Sequence, residues 1–505
     1  MNDDGNSYRQ ILRSTSIIGG ASVINILISL VRVKVAAVLL GPAGVGLIGM
    51  FSNLMATAAN VASLGMGTVG TRQIAAANAQ QDAQAVAVAR RALFWGTLVM
   101  AVVGSLIFWL LRGVLATHVL ADSALSNQVG WLALGVGLTL AAGSQGALLN
   151  GLRQIGDLAR ISVYTAVLAT TLGVGALLLW SERGLLVYLL VTPVCSFLVG
   201  YLYVARLPKV QALPTPLREL TQQWIALARL GMAFMLAGLA VTVGQLAVRT
   251  LVQRQLGAEA LGLFEASWVI SMTYIGLVLR AMGTDYYPRL TSIIHDHVAV
   301  NKLVNEQTEV VLLLAGPLFL VMLGLAPWVI ELLYSSKFTE AAAVLRWQIL
   351  GDLFKVASFP LGYLILAAGD GKTFVVGDAS ATVVFVFFVW LGLPHLGLQA
   401  TGIGFLMMYV VYLPLVYWLA RRKTGFGWTS KVIWKFVLLL IASIGVGVAA
   451  EINLTVGAFF GVGLAVVYGL FALARLAHMA NFSGHFLIFA RAIRRFIKSL
   501  TIKQH

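Results

Sequence analysis

Long uninterrupted runs of apolar residues dominate the chain and decide which elements it predicts. A bilayer core of about 30 Å requires about 20 apolar residues in a membrane-spanning helix. Fourteen such runs lie near residues 14–40, 44–71, 92–111, 128–150, 158–180, 184–205, 230–252, 260–284, 309–333, 344–367, 374–393, 398–420, 433–450 and 455–475. The first run is too long for a signal peptide and follows a polar segment, so no cleaved leader is expected. The pattern predicts an all-α polytopic membrane protein.

Composition and the placement of charge support this prediction. Only 11% of the residues are charged, whereas a soluble domain is typically about a quarter charged. With a cytoplasmic N-terminus, 25 of the 35 Lys and Arg residues fall on cytoplasmic loops or the tail, five on outside loops and five inside spans. Lys and Arg are enriched on the cytoplasmic side of membrane proteins. The net charge of +16 therefore indicates two cytoplasmic termini rather than a nucleic-acid partner.

An internal repeat relates the two halves of the chain at a constant offset of 216 residues. Leu40–Leu47 matches Leu256–Leu263 in its Leu, Gly, Gly and Leu positions. At the same offset, Met66-Gly67-Thr68 matches Met282-Gly283-Thr284, and Gly146 and Leu148 match Gly362 and Leu364. Because each half holds six spans, the repeats are parallel, and a site between them near the bilayer midplane is expected.

The repeat predicts a division into five segments. They are an N-lobe with spans one to six (1–206), a cytoplasmic linker (207–229), a C-lobe with spans seven to twelve (230–421), spans thirteen and fourteen (422–480) and a basic tail (481–505). In the tail, residues 484–503 place apolar side chains on one face between arginines. This predicts a helix lying on anionic lipids of the inner leaflet, the alternative being a solvated tail without a function.

Polar side chains recur at helical spacing inside several spans. A lipid-exposed charge near the bilayer centre costs roughly 2.5–3.5 kcal/mol, so these faces are expected to line a central water-filled cavity between the lobes. The predicted substrate-binding residues are Asn25, Arg32, Asn53, Asn60, Gln245, Arg249, Arg280, Asp352 and Lys355.

Structural roles for the same residues remain open. Lys34, Arg249 and Arg280 lie near span ends and can extend to lipid headgroups. Asp352 and Lys355, three residues apart, can form a purely structural pair, and asparagine stripes can join helices to one another. Glu265, near the outer end of span eight, is a candidate for an arginine partner, a gate or a carrier of a coupling proton.

The sign of charge in the spans indicates the cargo. Spans one to six contain no Asp or Glu, and away from the span ends their only charged residues are Arg32 and Lys34. A cationic cavity favours anions, and the planar guanidinium of arginine suits phosphate. No loop is long enough and rich enough in carboxylates or histidines for a catalytic site, and no nucleotide-binding motif is present. The sequence thus predicts a transporter rather than an enzyme, without a cofactor, energised by an H⁺ or Na⁺ gradient, the membrane potential or consumption of its product.

Three segments carry a family resemblance: Leu40–Leu47, Ala281–Leu290 and Trp347–Val356. They resemble the bacterial polysaccharide-repeat flippases, the Wzx-type translocases of O-antigen and enterobacterial common antigen in the multidrug/oligosaccharidyl-lipid/polysaccharide exporter superfamily. The resemblance covers about residues 8–425. It implies two six-helix lobes that alternate access, and it implies an undecaprenyl-pyrophosphate-linked oligosaccharide moved from the cytoplasmic to the periplasmic leaflet of the inner membrane. It also implies a glycan polymerase and chain-length machinery as partners.

The chain departs from that family in its two additional C-terminal spans, since such flippases usually have twelve. Fourteen spans are also typical of the lipid II flippases, whose last two helices form a groove for the lipid tail, although the opening motif of that family is absent. In this hypothesis the prenyl tail stays in lipid, guided by spans thirteen and fourteen. The four predicted cations, Arg32, Arg249, Arg280 and Lys355, bind pyrophosphate and acidic sugars, while the predicted amides bind sugar hydroxyls.

Three alternatives remain at this stage. A lipid II-type flippase is one. A cation-coupled multidrug exporter of the same superfamily is another, and the lack of carboxylates in spans one to six counts against it. A membrane-embedded glycan polymerase is the third, and the short external loops count against it.

Overall fold

The computed structural model describes residues 4–208 and 217–479, all of whose regular structure is helical. The predicted tail helix at 484–503 and residues 209–216 of the predicted linker lie outside the described residues. The helices are α1 (Asp4–Ser63), α2 (Met66–Ala79), α3 (Ala83–Leu110), α4 (Arg112–His118), α5 (Ser126–Gly151), α6 (Ile155–Trp180), α7 (Leu185–Ala205), α8 (Leu217–Ser292), α9 (His297–Leu333), α10 (Ala341–Ala367), α11 (Gly371–Leu396), α12 (Gln399–Thr424), α13 (Ser430–Ile452) and α14 (Leu454–Met479).

The described helices match the fourteen predicted spans once two bends are counted. Helices α1 and α8 each contain two spans, separated at Gly41 and Gly257. Within the described residues, ten segments are long and apolar enough to cross a membrane, and two of them, 19–63 and 155–205, each hold two predicted spans. The prediction of an all-α polytopic membrane fold is confirmed. The second span is shorter than predicted, because left-handed backbone at Leu64 and Gly65 ends α1 at Ser63.

The two bends occupy equivalent positions of the repeat. Gly41 has φ 64° and ψ −169°, and Gly257 has φ 86° and ψ −179°. A positive φ with an extended ψ is readily available only to glycine, since a Cβ atom would clash with the backbone. Helical structure resumes directly after each glycine. Gly257 lies 216 residues after Gly41, which is the offset of the sequence repeat. The backbone therefore reproduces the repeat that the sequence predicts.

The turns that follow the bends pack against each other at glycines. A Cβ atom on Gly46 would lie 2.5 Å from the carbonyl oxygen of Ala258, and one on Gly262 would overlap the carbonyl oxygen of Pro42. Gly262 is the repeat partner of Gly46, and Ala258 that of Pro42. The backbones therefore approach through equivalent positions, a closeness that only glycine allows.

Replacing Gly262 with alanine is expected to force these backbones apart. Overpacking of a tight contact costs about 1–3 kcal/mol, so thermal unfolding of the purified variant in detergent should begin several degrees below that of the parent. Gly67→Ala is the control, because a Cβ atom there meets nothing within 4 Å. Equal melting temperatures for the two variants would contradict the close approach.

The chain divides into two compact units by its contacts. The first comprises residues up to Gly262 together with Leu333–Ser335, and the second comprises Leu263–Leu332 and the residues from Ser336 onward. In the first unit, α1 packs on α6, and α5 packs on both α3 and α7. In the second, α12 packs on α10 and α11, and α13 packs on α14. The five segments predicted from the repeat remain a prediction.

The two additional helices are joined to α9 by an ionic cluster inside the second unit. Oε1 of Glu309 accepts hydrogen bonds from Nζ of Lys435 on α13 at 2.6 Å and from Nε of Arg475 on α14 at 2.9 Å. One turn earlier, the amide of Asn305 donates to Gly427 O at 3.0 Å and accepts from the Thr429 amide at 2.8 Å. The loop before α13 and both terminal helices are thus held by polar groups of one helix.

Replacing Glu309 with alanine is expected to leave two partly buried cations without their shared anion. The side chains of Glu309, Lys435 and Arg475 are 9%, 13% and 30% exposed. The cost should be about 3 kcal/mol, the low end for a broken buried pair, because Arg475 is partly solvated. Thermal unfolding in detergent and protease cleavage in the loop before α13 would measure it. Glu306→Ala is the control, since Glu306 is half exposed and its nitrogen partner lies 4.0 Å away. An unchanged melting temperature for Glu309→Ala would show that the cluster contributes nothing.

Candidate substrate-binding residues

The polar face of the first span lies against α6 and α7 within the first unit. Nδ2 of Asn25 donates to Oγ of Ser162 at 2.5 Å. Nη1 of Arg32 donates to Oγ1 of Thr192 at 2.6 Å, and its Nη2 donates to the carbonyl oxygen of Tyr188 at 2.7 Å. The Arg32 guanidinium also lies over the Tyr188 ring, 4.3 Å from the centroid. The charge of Arg32 is therefore held in one orientation by neighbouring helices.

Arg32 retains donors after these contacts. A guanidinium has five N–H groups, and the described contacts use one on each terminal nitrogen. Its Nε and the Oδ1 atom of Asn25 are buried and have no hydrogen-bond partner among the described residues. The arrangement allows an oxyanion to bind to a guanidinium that is already positioned, which reduces the entropy lost on binding.

Asn53, Thr57 and Asn60 recur at helical spacing and form a polar stripe on the second span. Asn53 and Asn60 are half-buried and Thr57 is buried. Oδ1 of Asn53 and Oγ1 of Thr57 have no hydrogen-bond partner among the described residues. A buried amide without a partner costs free energy unless a ligand or water satisfies it. The stripe is thus chemically able to bind sugar hydroxyls, and that role stays a prediction.

Gln245 and Arg249 lie one turn apart on α8, at the end of the first unit. Nη1 of Arg249 donates to the carbonyl oxygen of Gln245 at 3.2 Å, and the Arg249 side chain is only 5% exposed. A cation buried to this degree differs from an exposed arginine such as Arg72 on α2. The described burial favours an internal role for Arg249 over extension to the headgroups.

In the second unit, Asp352 on α10 is at the centre of a buried polar cluster. Its Oδ2 atom accepts hydrogen bonds from Ser271 Oγ and Tyr274 OH, both at 2.6 Å. Nζ of Lys355 lies 4.0 Å from Oδ1. Asp352 is fully buried, so the carboxylate is accessible to its neighbours rather than to a bulky solute. The geometry indicates that Asp352 positions the Lys355 ammonium rather than contacting a solute itself.

Lys355 projects into an aromatic wall formed by α12. Its Nζ lies 5.7 Å from the ring centroids of both Phe405 and Tyr409 and 3.4 Å from Sδ of Met272. Ammonium groups are attracted to aromatic faces at such distances. Two turns before Lys355 on α10, the amide of Gln348 is fully buried, and neither of its polar atoms has a partner in the described structure. The spacing of seven residues places the ammonium and the amide on the same face of α10.

The structure groups the predicted residues by unit. Asn25, Arg32, Asn53, Asn60, Gln245 and Arg249 belong to the first unit, and Glu265, Asp352 and Lys355 belong to the second. Glu265 is buried, with 4% of its surface exposed. The side chain of Arg280 lies outside the described residues. A joint site that all of these residues form together stays a prediction.

Sequence reasoning did not identify the partners of these residues. Thr192 and Ser162 hold the first span, and Ser271 and Tyr274 hold Asp352. These partners are separated from the groups that they bind by 78–160 residues. They are single hydroxyl groups within apolar helices, so neither charge nor spacing distinguishes them. Only their proximity in the fold reveals the contacts.

A comparison with protein families decides the affiliation of the chain. Residues 35–343, more than half of its length, match the family described as polysaccharide biosynthesis protein. The chain belongs to this family. The resemblance stated from the three sequence segments is confirmed. The match contains six of the ten predicted site residues, and Asn25, Arg32, Asp352 and Lys355 lie outside it.

Individual relatives extend the match along the chain. The lipid III flippases of Escherichia coli (strain K12) and Shigella flexneri are each 25% identical over 412 residues, covering 77% of this chain and 94% of theirs. Among solved structures, a multidrug resistance MATE family transporter of the MOP superfamily in an inward-facing conformation matches with a TM-score of 0.65 at 16% identity, covering 79% of this chain and 94% of its own. The lipid II flippase MurJ in an inward closed conformation also gives 0.65, at 10% identity, covering 92% and 99%. These two structures share the polytopic helical fold of this chain.

Proposed function

We propose that the protein is a flippase that moves a lipid-linked oligosaccharide across the membrane. The observation that carries the proposal is the match to the polysaccharide biosynthesis family together with the similarity to lipid III flippases over 77% of the chain. The polytopic helical fold suits a carrier, and we propose no enzymatic activity for it.

The charges of the spans support a pyrophosphate-linked cargo. The first six spans contain no carboxylate, and Arg32 is held with donors to spare. Lys355 in the second unit is set among aromatic rings by a buried carboxylate partner. We propose that these groups and Arg249 bind the pyrophosphate, and that Asn25, Asn53, Asn60 and Gln245 bind sugar hydroxyls. An undecaprenyl tail, alternating access and coupling to H⁺ or Na⁺ belong to the same proposal.

The proposed location is the bacterial inner membrane, with both termini in the cytoplasm and transport toward the periplasmic leaflet. The distribution of Lys and Arg over the loops supports this orientation. Anionic lipids at the basic tail and a downstream glycan polymerase are the proposed partners.

The test is reconstitution of the purified protein into liposomes with a fluorescent oligosaccharide linked to polyprenyl pyrophosphate. A quencher added outside reports how much probe reaches the outer leaflet. We expect the protein to raise the crossing rate of this probe well above that of protein-free liposomes. A fluorescent phosphatidylcholine is the control cargo and should not cross faster. Crossing of both probes at equal rates, or of neither, would contradict the proposal.

A further inference from the structure

A large elongated cavity lies within the first unit, outside the predicted substrate-binding residues. It has a volume of about 1340 Å³ and is bounded by α3, α5 and α7. Its deep part is apolar, with Leu98, Leu138 and Phe197 among the lining residues. Arg90 and Arg91 line its other end. The carboxylate of Asp82 also lines this end, where it caps α3 by accepting from the Ala85 amide at 2.9 Å.

A second cavity continues along the same helices toward the opposite face. It has a volume of about 780 Å³ and lies between α3 and α5. The two cavities share the lining residues Ala101, Gly137 and Leu138, so they meet near the middle of both helices. At the far end, the guanidinium of Arg112 stacks over the Trp109 ring, 4.0 Å from its centroid. Together the cavities form a trench, called here the α3–α5 trench.

The length of the α3–α5 trench matches the whole membrane rather than one leaflet. Arg91 and Arg112 are 21 residues apart, which corresponds to about 32 Å along helical structure. The hydrocarbon core of a bilayer is about 30 Å thick. The trench therefore has cationic groups at both headgroup levels and an apolar lining between them.

We infer that the α3–α5 trench binds the polyprenyl chain of the lipid-linked substrate, with the phosphate group at the arginine end of either face. This inference rests on the proposed function. The predicted site residues do not bind the tail, and the arginine ends of the trench bind the phosphate before and after the transfer, whereas the predicted residues bind it during the transfer. An amphiphile with an anionic head and a long apolar tail is complementary to the trench in charge and polarity. The prenyl tail is thereby assigned to the first unit rather than to α13 and α14.

The continuity of the trench favours a polyprenyl chain over a phospholipid. A phospholipid acyl chain reaches about half of the hydrocarbon core, roughly 15 Å, and would fill only one of the two cavities. A longer chain can occupy both. Because flipping moves the head from one face to the other, a trench with cations at both ends can hold the tail before and after the transfer.

The test is photo-crosslinking in nanodiscs of neutral phosphatidylcholine, with a polyprenyl phosphate that carries a diazirine in its tail. We expect mass spectrometry to locate the crosslinks on α3 and α5. Unlabelled polyprenyl phosphate should compete, and an equal amount of phosphatidylglycerol should not. Equal competition by phosphatidylglycerol would assign the trench to phospholipids, and crosslinks confined to α13 and α14 would overturn the inference.

Matched variants test the trench without disturbing the core. Leu98 is 42% exposed and lines the trench, whereas Val99 is 49% exposed and does not. Leu98→Trp should reduce crosslinking severalfold, and Val99→Trp should leave it unchanged. Arg90→Gln with Arg91→Gln should weaken binding of polyprenyl phosphate by about 20-fold or more, at roughly fivefold for each cation near a phosphate. Arg72→Gln, an exposed arginine on α2 that does not line the trench, is the control for charge.

The outcome separates this inference from the proposed function, because crosslinking needs no transport. Crosslinking in the trench without flipping of the oligosaccharide lipid would leave the trench assignment standing and contradict the function. Flipping by the parent protein, with crosslinking equal in Leu98→Trp and Val99→Trp, would leave the function standing and overturn the trench assignment.

Discussion

Replacing Arg32, Arg249 and Lys355 together with alanine is expected to reduce flipping of the oligosaccharide lipid to the rate of protein-free liposomes. A hydrogen bond to a charged group contributes about 1.5–3 kcal/mol. Loss of one such contact in the transport intermediate should slow crossing by about 10- to 100-fold, and loss of three should abolish it. The measurement is the quenching assay with equal amounts of reconstituted protein.

Two further variants show whether the loss comes from cargo binding. Arg72→Ala removes an exposed arginine of α2 and should leave the rate unchanged. Arg32→Lys keeps the charge but lacks the planar fork that contacts Thr192 and Tyr188, so its rate should lie between those of the parent and Arg32→Ala. Unimpaired flipping by the triple variant would show that the cations are not needed for transport.

Replacing Asp352 with alanine is expected to destabilise the second unit by about 3–5 kcal/mol, the range for removing one member of a buried ion pair. The hydroxyl groups of Ser271 and Tyr274 would lose their shared acceptor, and Lys355 would lose its nearest carboxylate. Thermal unfolding in detergent should show a clear decrease in melting temperature. The flipping rate at low temperature should fall as well, because Lys355 would no longer be positioned.

Conservative variants separate the charge of Asp352 from its hydrogen bonds. Asp352→Asn keeps an oxygen acceptor and should destabilise less than alanine. Tyr274→Phe removes one donor and should cost about 1 kcal/mol. Asp157→Asn is the control, because Asp157 is 27% exposed and its partner Arg160 is 66% exposed. If Asp352→Ala and Asp157→Asn melt at the same temperature, the buried cluster does not stabilise the unit.

The membrane fold was largely predictable from the sequence. Apolar runs of sufficient length define spans because the bilayer sets their length, and this rule needs no knowledge of tertiary contacts. The offset of 216 residues also pairs the two glycines at which the long helices bend, since Gly41 and Gly257 both adopt a positive φ. The end of the second span was misplaced, because the turn at Leu64 and Gly65 interrupts an apolar run that hydropathy alone reads as continuous.

The surroundings of the polar residues were less predictable. Helical periodicity shows which residues share a face but not what that face contacts. Asn25 and Arg32 lie on the same face of the first span, and both donate hydrogen bonds to other helices of their own unit. The sequence gives no sign of the ionic cluster at Glu309, because its partners Lys435 and Arg475 lie 126 and 166 residues away. On the sequence alone, these two cations indicate only the orientation of the chain in the membrane. The α3–α5 trench depends on the spacing of helices, for which the sequence carries no local signal.

The contact between the two glycine turns has a consequence for the origin of the chain. Gly46 approaches the carbonyl of Ala258, while Gly262 approaches that of Pro42. Each repeat therefore contributes a glycine and a carbonyl group at equivalent positions. Reciprocal contact of this kind defines an isologous interface between identical subunits related by a two-fold axis. The contact has the form expected if two copies of an ancestral half-length protein met at this glycine before their genes were fused. After fusion the remaining positions could diverge, as Pro42 and Ala258 have, while the glycines at the point of approach could not.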